Sequence, residues 1–69
     1  METTKLVHMV NQIALAFRLQ PKDEAVSQTV EHLRAFWSPQ MRQELLAYVA
    51  SGGAGLEPLA KEAAAKLSA

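Results

Sequence analysis

The Ser38-Pro39 pair, with Gly52-Gly53 downstream of it, fixes both ends of one helix and so divides the chain. Serine is a preferred N-cap, and proline suits the first helical position, where no backbone N–H is missed. Glycine at the far end accepts the left-handed conformation that closes a helix at little cost. The stretch His32 to Leu59, HLRAFWSPQMRQELLAYVASGGAGLEPL, therefore contains the end of one helix, a complete second and the start of another. The complete one is predicted over 39–51, with Met41, Leu45, Tyr48 and Val49 on one face.

The remaining helices follow from apolar spacing. Leu6, Val10, Ile13 and Phe17 fall within a narrow arc, with Met9 beside them, which predicts a first helix over about 4–19 with that arc as its core face. Pro21 disfavours helical geometry at Gln20, ends the first helix and starts the second, over about 22–37, whose positive end suits Asp23 and Glu24. Its buried side is Ala25, Val26, Val30, Leu33, Phe36 and Trp37, while Ser27, Glu31 and Arg34 face water. A last helix over about 56–67 carries Leu56, Leu59, Ala60, Ala63 and Leu67 as its stripe, and Glu62 and Lys66 form an i,i+4 pair. No β-type alternation interrupts this pattern. The fold class is all-α, a small bundle of about four short helices in a single domain over residues 1–69.

A domain of 69 residues buries only about 60% of the surface its unfolded chain exposes, so its own core is marginal. With no cysteine there is no disulfide framework and no thiolate metal site, which fits a reducing, cytoplasmic setting. Seven basic side chains balance seven acidic ones, leaving no net field to attract nucleic acid or an anionic membrane. Ala14-Leu15-Ala16 has the small-x-small look of a signal-peptidase site. However, His8, Asn11 and Gln12 break the apolar run before it, and the position is too early. No run approaches the roughly 18 apolar residues of a membrane helix. The chain is expected to be mature as written, with no membrane association.

Three features do not fit a self-contained bundle. Leu15, Leu19 and Val7 lie away from the core arc of the first helix, and a helix apolar on two sides is usually covered on two sides. Single exposed leucines are nonetheless ordinary. Phe36 and Trp37 point about 100° apart on a helix, so one fills the core while the other is placed to anchor a partner; tryptophan is the more frequent core residue. Arg42 sits in the first turn of its helix, where a positive charge opposes the dipole. Either a carboxylate or carbonyl on another protein holds its guanidinium fork, or its stem lies on apolar surface with the head in water.

Signatures of chemistry are weak. His8 and His32 lack metal-ligand spacing and have no cysteine to complete a site. Ser27, Ser38, Ser51 and Ser68 have no nucleophile-elbow context, and Ser38 already has a role as a cap. The Gly52-Gly53-Ala54-Gly55 loop lacks the Lys-Ser/Thr ending of a phosphate-binding loop, and Glu57 puts negative charge where an anion would sit. Two binding modules remain as alternatives. One is a helix-turn-helix across Ser38-Pro39, with Gln40, Arg42 and Gln43 as readers, opposed by the neutral charge and Glu44. The other is a free-standing adaptor or homodimer.

One set of residues runs through nearly the whole chain: Lys5-Leu6-Val7, Met9, Asn11-Gln12-Ile13-Ala14, Pro21, His32-Leu33 and Phe36-Trp37, then Pro39, Met41-Arg42, Leu45, Gly52-Gly53, Leu56, Pro58-Leu59 and Ala63. In these residues the chain resembles the delta subunit of cytoplasmic NAD-dependent, molybdenum- or tungsten-containing formate dehydrogenases. Ser38 stands where an Asp is common, and Gln40 where an Arg is common. The resemblance implies a non-catalytic accessory subunit of an enzyme that oxidises formate to carbon dioxide and passes the electrons to NAD. In such complexes the large alpha subunit holds bis-molybdopterin guanine dinucleotide with Mo or W and iron–sulfur clusters. The beta and gamma subunits hold FMN and further clusters, and this chain holds none. Its role would be to stabilise or assemble the complex, or to assist insertion or retention of the metal cofactor. On this reading the contact with the alpha subunit is placed on Trp37, Pro39, Met41 and Arg42, with Asn11, Leu15, Gly52 and Gly53 nearby.

Overall fold

The computed structural model describes residues 2–67 and contains four α-helices: α1 Thr3–Phe17, α2 Lys22–Phe36, α3 Pro39–Ala50 and α4 Pro58–Leu67. No strand occurs among the described residues. The expected all-α class and the order of elements are both found.

The helix boundaries follow local chemistry. α1 has no side-chain cap, no acid in its first turn and no base in its last, so its own ends hold it weakly and packing must hold it instead. It stops at Phe17, two residues before the expected Leu19, as the Arg18 N–H bonds back to Leu15 O and the Gln20 N–H to Phe17 O ahead of Pro21. Pro21 caps α2 rather than joining it, its carbonyl accepting the Ala25 N–H at 2.9 Å. α2 ends at Phe36 because Trp37 has left the helical region, with φ −91° and ψ 139°, and Ser38 is held extended by the proline that follows it. The Ser38 hydroxyl accepts the Met41 N–H at 3.2 Å, the expected cap.

α3 closes through two backbone bonds, Gly52 N–H to Val49 O and Gly53 N–H to Tyr48 O, each 3.0 Å, which together form a Schellman motif. Both glycines have positive φ, 127° and 63°. A Cβ on Gly53 would also lie 3.2 Å from Lys61 Cε. The loop that follows is tied down from two sides. The Tyr48 hydroxyl donates to Ala54 O, and Asn11 on α1 donates from Nδ2 to Gly55 O and accepts the Glu57 N–H at Oδ1, both at 2.9 Å. α4 accordingly begins at Pro58, not Leu56.

The core joins Leu6, Val10 and Ala14 of α1 to Leu33 of α2, Trp37, Leu45 of α3, and Leu56, Ala60 and Ala64 of the loop and α4. A smaller cluster of Val26, Val30 and Ala63 continues it between α2 and α4. These two helices pack most extensively, and the small Ala60, Ala63 and Ala64 let their backbones approach. Thr29, fully buried on α2, is satisfied by donating its hydroxyl to Ala25 O at 2.7 Å.

Three expectations are corrected here. The buried stripe of α1 is Leu6, Val10 and Ala14, with Ile13 and Phe17 only half-buried at its edge and Val7 packed against the core from the other side. α1 is thus rotated so that the small Ala14 faces inward. Phe36, read as buried, is 74% exposed. Glu62 pairs across helices with Lys22 at 2.8 Å rather than with Lys66. Hydrogen bonding to Glu62, then its charge, raises the Lys22 pKa. The sign follows: a lysine whose pKa is raised in the fold favours the fold at neutral pH, and that contribution is lost as pH rises through the lysine's own titration. The pair stands in solvent, so its weight is small.

Candidate docking surface

Met9, Gln12, Ile13, Ala16 and Phe17 along α1 face His32, Phe36, Trp37 and Met41 across a groove of about 530 Å³. The rotation of α1 creates it. With Leu6, Val10 and Ala14 turned into the core, the next strip of α1 lies on the groove wall, and the residues that interrupt it are uncharged. The opposite wall is Phe36, whose ring sits 4.7 Å from the His32 ring at 39°. Trp37 also lines it, at 5% exposure, on the side of α2 that Val26, Val30 and Leu33 bury.

No side chain lining the groove carries a formal charge when His32 is neutral. From Leu6 to Phe17 the chain has no Asp, Glu, Lys or Arg, although His8, Met9, Gln12, Leu15 and Ala16 in that span are exposed. A solvated helix face usually carries charge, and 20% of this chain does, so this one is set apart. Leu15 at 43% and Leu19 at 91% exposure extend the apolar surface beyond the groove. Depletion of charge with enrichment of aromatic residues and methionine is the composition of an interface core.

The eight residues expected to form the contact do not meet in one place. Trp37 and Met41 belong to the groove, with Trp37 buried beneath it rather than presented as an anchor. Leu15 is exposed on α1. Pro39 and Arg42 line a different depression, with Arg34, Gln43, Leu46 and Leu67. Asn11, Gly52 and Gly53 are engaged within the chain, in the strap from α1 to the α3–α4 loop and in the closure of α3. Arg42 also has an internal partner: its Nη1 donates to Arg34 O at 3.0 Å. Met9, Ile13, Phe17, His32 and Phe36 were missed as groove residues. The unbroken absence of charge from Leu6 to Phe17 was the signal that could have found the α1 wall.

Asn11 therefore has a testable structural role. Asn11→Ala removes two bonds and strands the part-buried Glu57 N–H, and it is expected to lower unfolding free energy by about 2 kcal/mol in chemical denaturation. An unchanged midpoint would mean that the strap holds nothing.

The donor set does not suit a bound metal or iron–sulfur cluster: there is no cysteine, and no group of three or more His, Cys, Asp or Glu is positioned to hold a metal ion among the described residues. His8 Nε2 instead sits 3.1 Å from Gln12 Nε2 on the outer face of α1. No helix among the described residues is long and apolar enough to cross a membrane.

Fold and surface together define a small helical-bundle protein with an exposed apolar groove between its first two helices. By sequence the chain belongs to the NADH-dependent formate dehydrogenase delta subunit family, FdsD, whose family model matches residues 5–64. No curated protein and no solved structure matches it.

Proposed function

We propose that this chain is a non-catalytic accessory subunit of an NAD-dependent formate dehydrogenase, and that it docks on the large catalytic subunit through the charge-free groove around Phe36. Family membership supports the enzyme, and the observation that carries the docking is the pairing of an exposed Phe36 with an uncharged α1 wall. The balance of forces runs the same way. A bundle of this size has a small core, its first helix lacks caps, and a partner that binds only the folded state adds stability by mass action. In this reading the metal centre, iron–sulfur clusters and flavin are carried by the alpha, beta and gamma subunits in the cytoplasm. This chain stabilises or assembles the alpha subunit, and it assists insertion or retention of the molybdenum or tungsten cofactor.

The test is a tagged full-length chain recovered from its host's soluble extract, with the bound proteins identified by mass spectrometry. The catalytic formate dehydrogenase subunit is expected in the eluate, together with formate-dependent reduction of NAD. Elution of the chain alone, folded as a monomer or dimer, would refute the reading.

A further inference from the structure

Arg34 and Arg42 stand at the corner between α2 and α3 and line a second depression of about 400 Å³ with Pro39, Gln43, Leu46 and Leu67. Met41 and Arg42 are neighbours in sequence, yet one lines the groove and the other this corner. The bond from Arg42 Nη1 to Arg34 O pins the guanidinium against the last turn of α2 while using one of its five donors. Arg34 itself is exposed.

Among the described residues no acidic side chain lines this depression. Asp23 and Glu31 line the adjoining one, with Arg34 and Lys66. α3 has no acid in its first turn, and Glu44 leaves that helix on the opposite side from Arg42, about 200° round at helical spacing. Among the described residues neither guanidinium is paired with a carboxylate, the ion pair seen there being Lys22 with Glu62. In a chain whose formal charges balance overall, two arginines are thus gathered beside Pro39, Leu46 and Leu67 in a depression that no carboxylate side chain of the described residues lines.

We infer that this corner binds an Asp or Glu side chain of the partner subunit, as a second contact beside the groove. The inference rests on the docking reading above and adds to it the chemistry of what docks. A carboxylate matches the planar fork of arginine, and charge-assisted bonds of that kind are the strong ones. The apolar residues beside the arginines lower the local dielectric, and the pinned Arg42 loses little freedom on binding. The placement of Arg42 in the first turn of α3, unfavourable for the isolated helix, acquires a reason.

Arg34→Glu is the decisive variant, because the Arg42 bond goes to the Arg34 backbone and survives the change. The full-length chain would be co-produced with the other formate dehydrogenase subunits of its host, and its dissociation followed as salt is raised. Arg34→Glu is expected to dissociate on the order of tenfold more readily at low salt, with a flatter salt response, while circular dichroism of the free chain stays unchanged. Arg34→Lys is expected to recover part of the loss. Wild-type retention and salt response in Arg34→Glu, alongside release of Phe36→Glu, would overturn the arginine contact and leave groove docking in place. Failure of the unaltered chain to associate would remove docking altogether, and this contact with it.

Discussion

Trp37→Ala is expected to unfold much of the isolated protein. Trp37 is 5% exposed and belongs to the core cluster that joins all four helices, with Leu33, Leu45 and Leu56, so truncating it leaves a cavity in that cluster. Truncations of this kind cost about 3–5 kcal/mol. A chain of 69 residues has, at ordinary values per residue, about 3–10 kcal/mol in total. The melting temperature should fall by about 12 °C or more, since each kcal/mol shifts a domain of this size by several degrees. Thermal unfolding by circular dichroism measures it, and a shift of only a few degrees would mean that Trp37 is not the central packing residue. Binding to a partner would be lost too, but as a consequence of unfolding.

Phe36→Glu, one residue earlier, should do the reverse. With 74% of the side chain in solvent, the substitution leaves the core intact and the free chain as stable as before to within about 0.5 kcal/mol. Its effect falls on association. Removing a central aromatic anchor costs about 2 kcal/mol or more, roughly thirtyfold in affinity, and a carboxylate brought into an uncharged groove adds an unpaired buried charge. Phe36→Leu, which keeps apolar bulk, should retain most of the binding. Co-purification of the variants with the catalytic subunit reads this series, and equal recovery of Phe36→Glu and the unaltered chain would exclude the groove as the contact.

The opposite fates of two adjacent aromatic residues show where the amino-acid sequence was legible and where it was not. Ser38-Pro39 and Gly52-Gly53 act through local backbone geometry, and α3 starts at the predicted Pro39 and stops at Ala50, one residue short of the predicted end. Pro21 separated α1 from α2 for the same reason. The side chains of Phe36 and Trp37 depend instead on which of them is the last helical residue. Helical spacing read both as buried, which holds for Trp37 at 5% exposure, whereas Phe36 at the last helical position is 74% exposed. Rotation of α1 was illegible for a related reason. Ile13 and Phe17 outweigh Ala14 in apolar bulk, but close approach to the rest of the bundle selects the small side chain.

Long-range polar contacts were beyond reach. Asn11 meets Gly55 and Glu57 across the fold, Glu62 finds Lys22 rather than Lys66, and Arg42 finds the carbonyl of Arg34. Each partner is defined only once the helices are packed. That is why Asn11, Gly52 and Gly53, which carried part of the resemblance to the family, turn out to hold the chain's own loop. The exposed leucines were legible: Leu15 and Leu19 stand in solvent as their distance from the core arc implied, whereas Val7 does not.

The most direct test of groove docking is oxidative footprinting of this chain, free and within the formate dehydrogenase complex of its host, with modified side chains located by mass spectrometry. Met9 and Phe36 are accessible in the free chain and lie on opposite walls of the groove, so both should be modified when it is free and strongly protected when it is bound. Equal modification of Met9 and Phe36 in the two states would contradict docking through this groove.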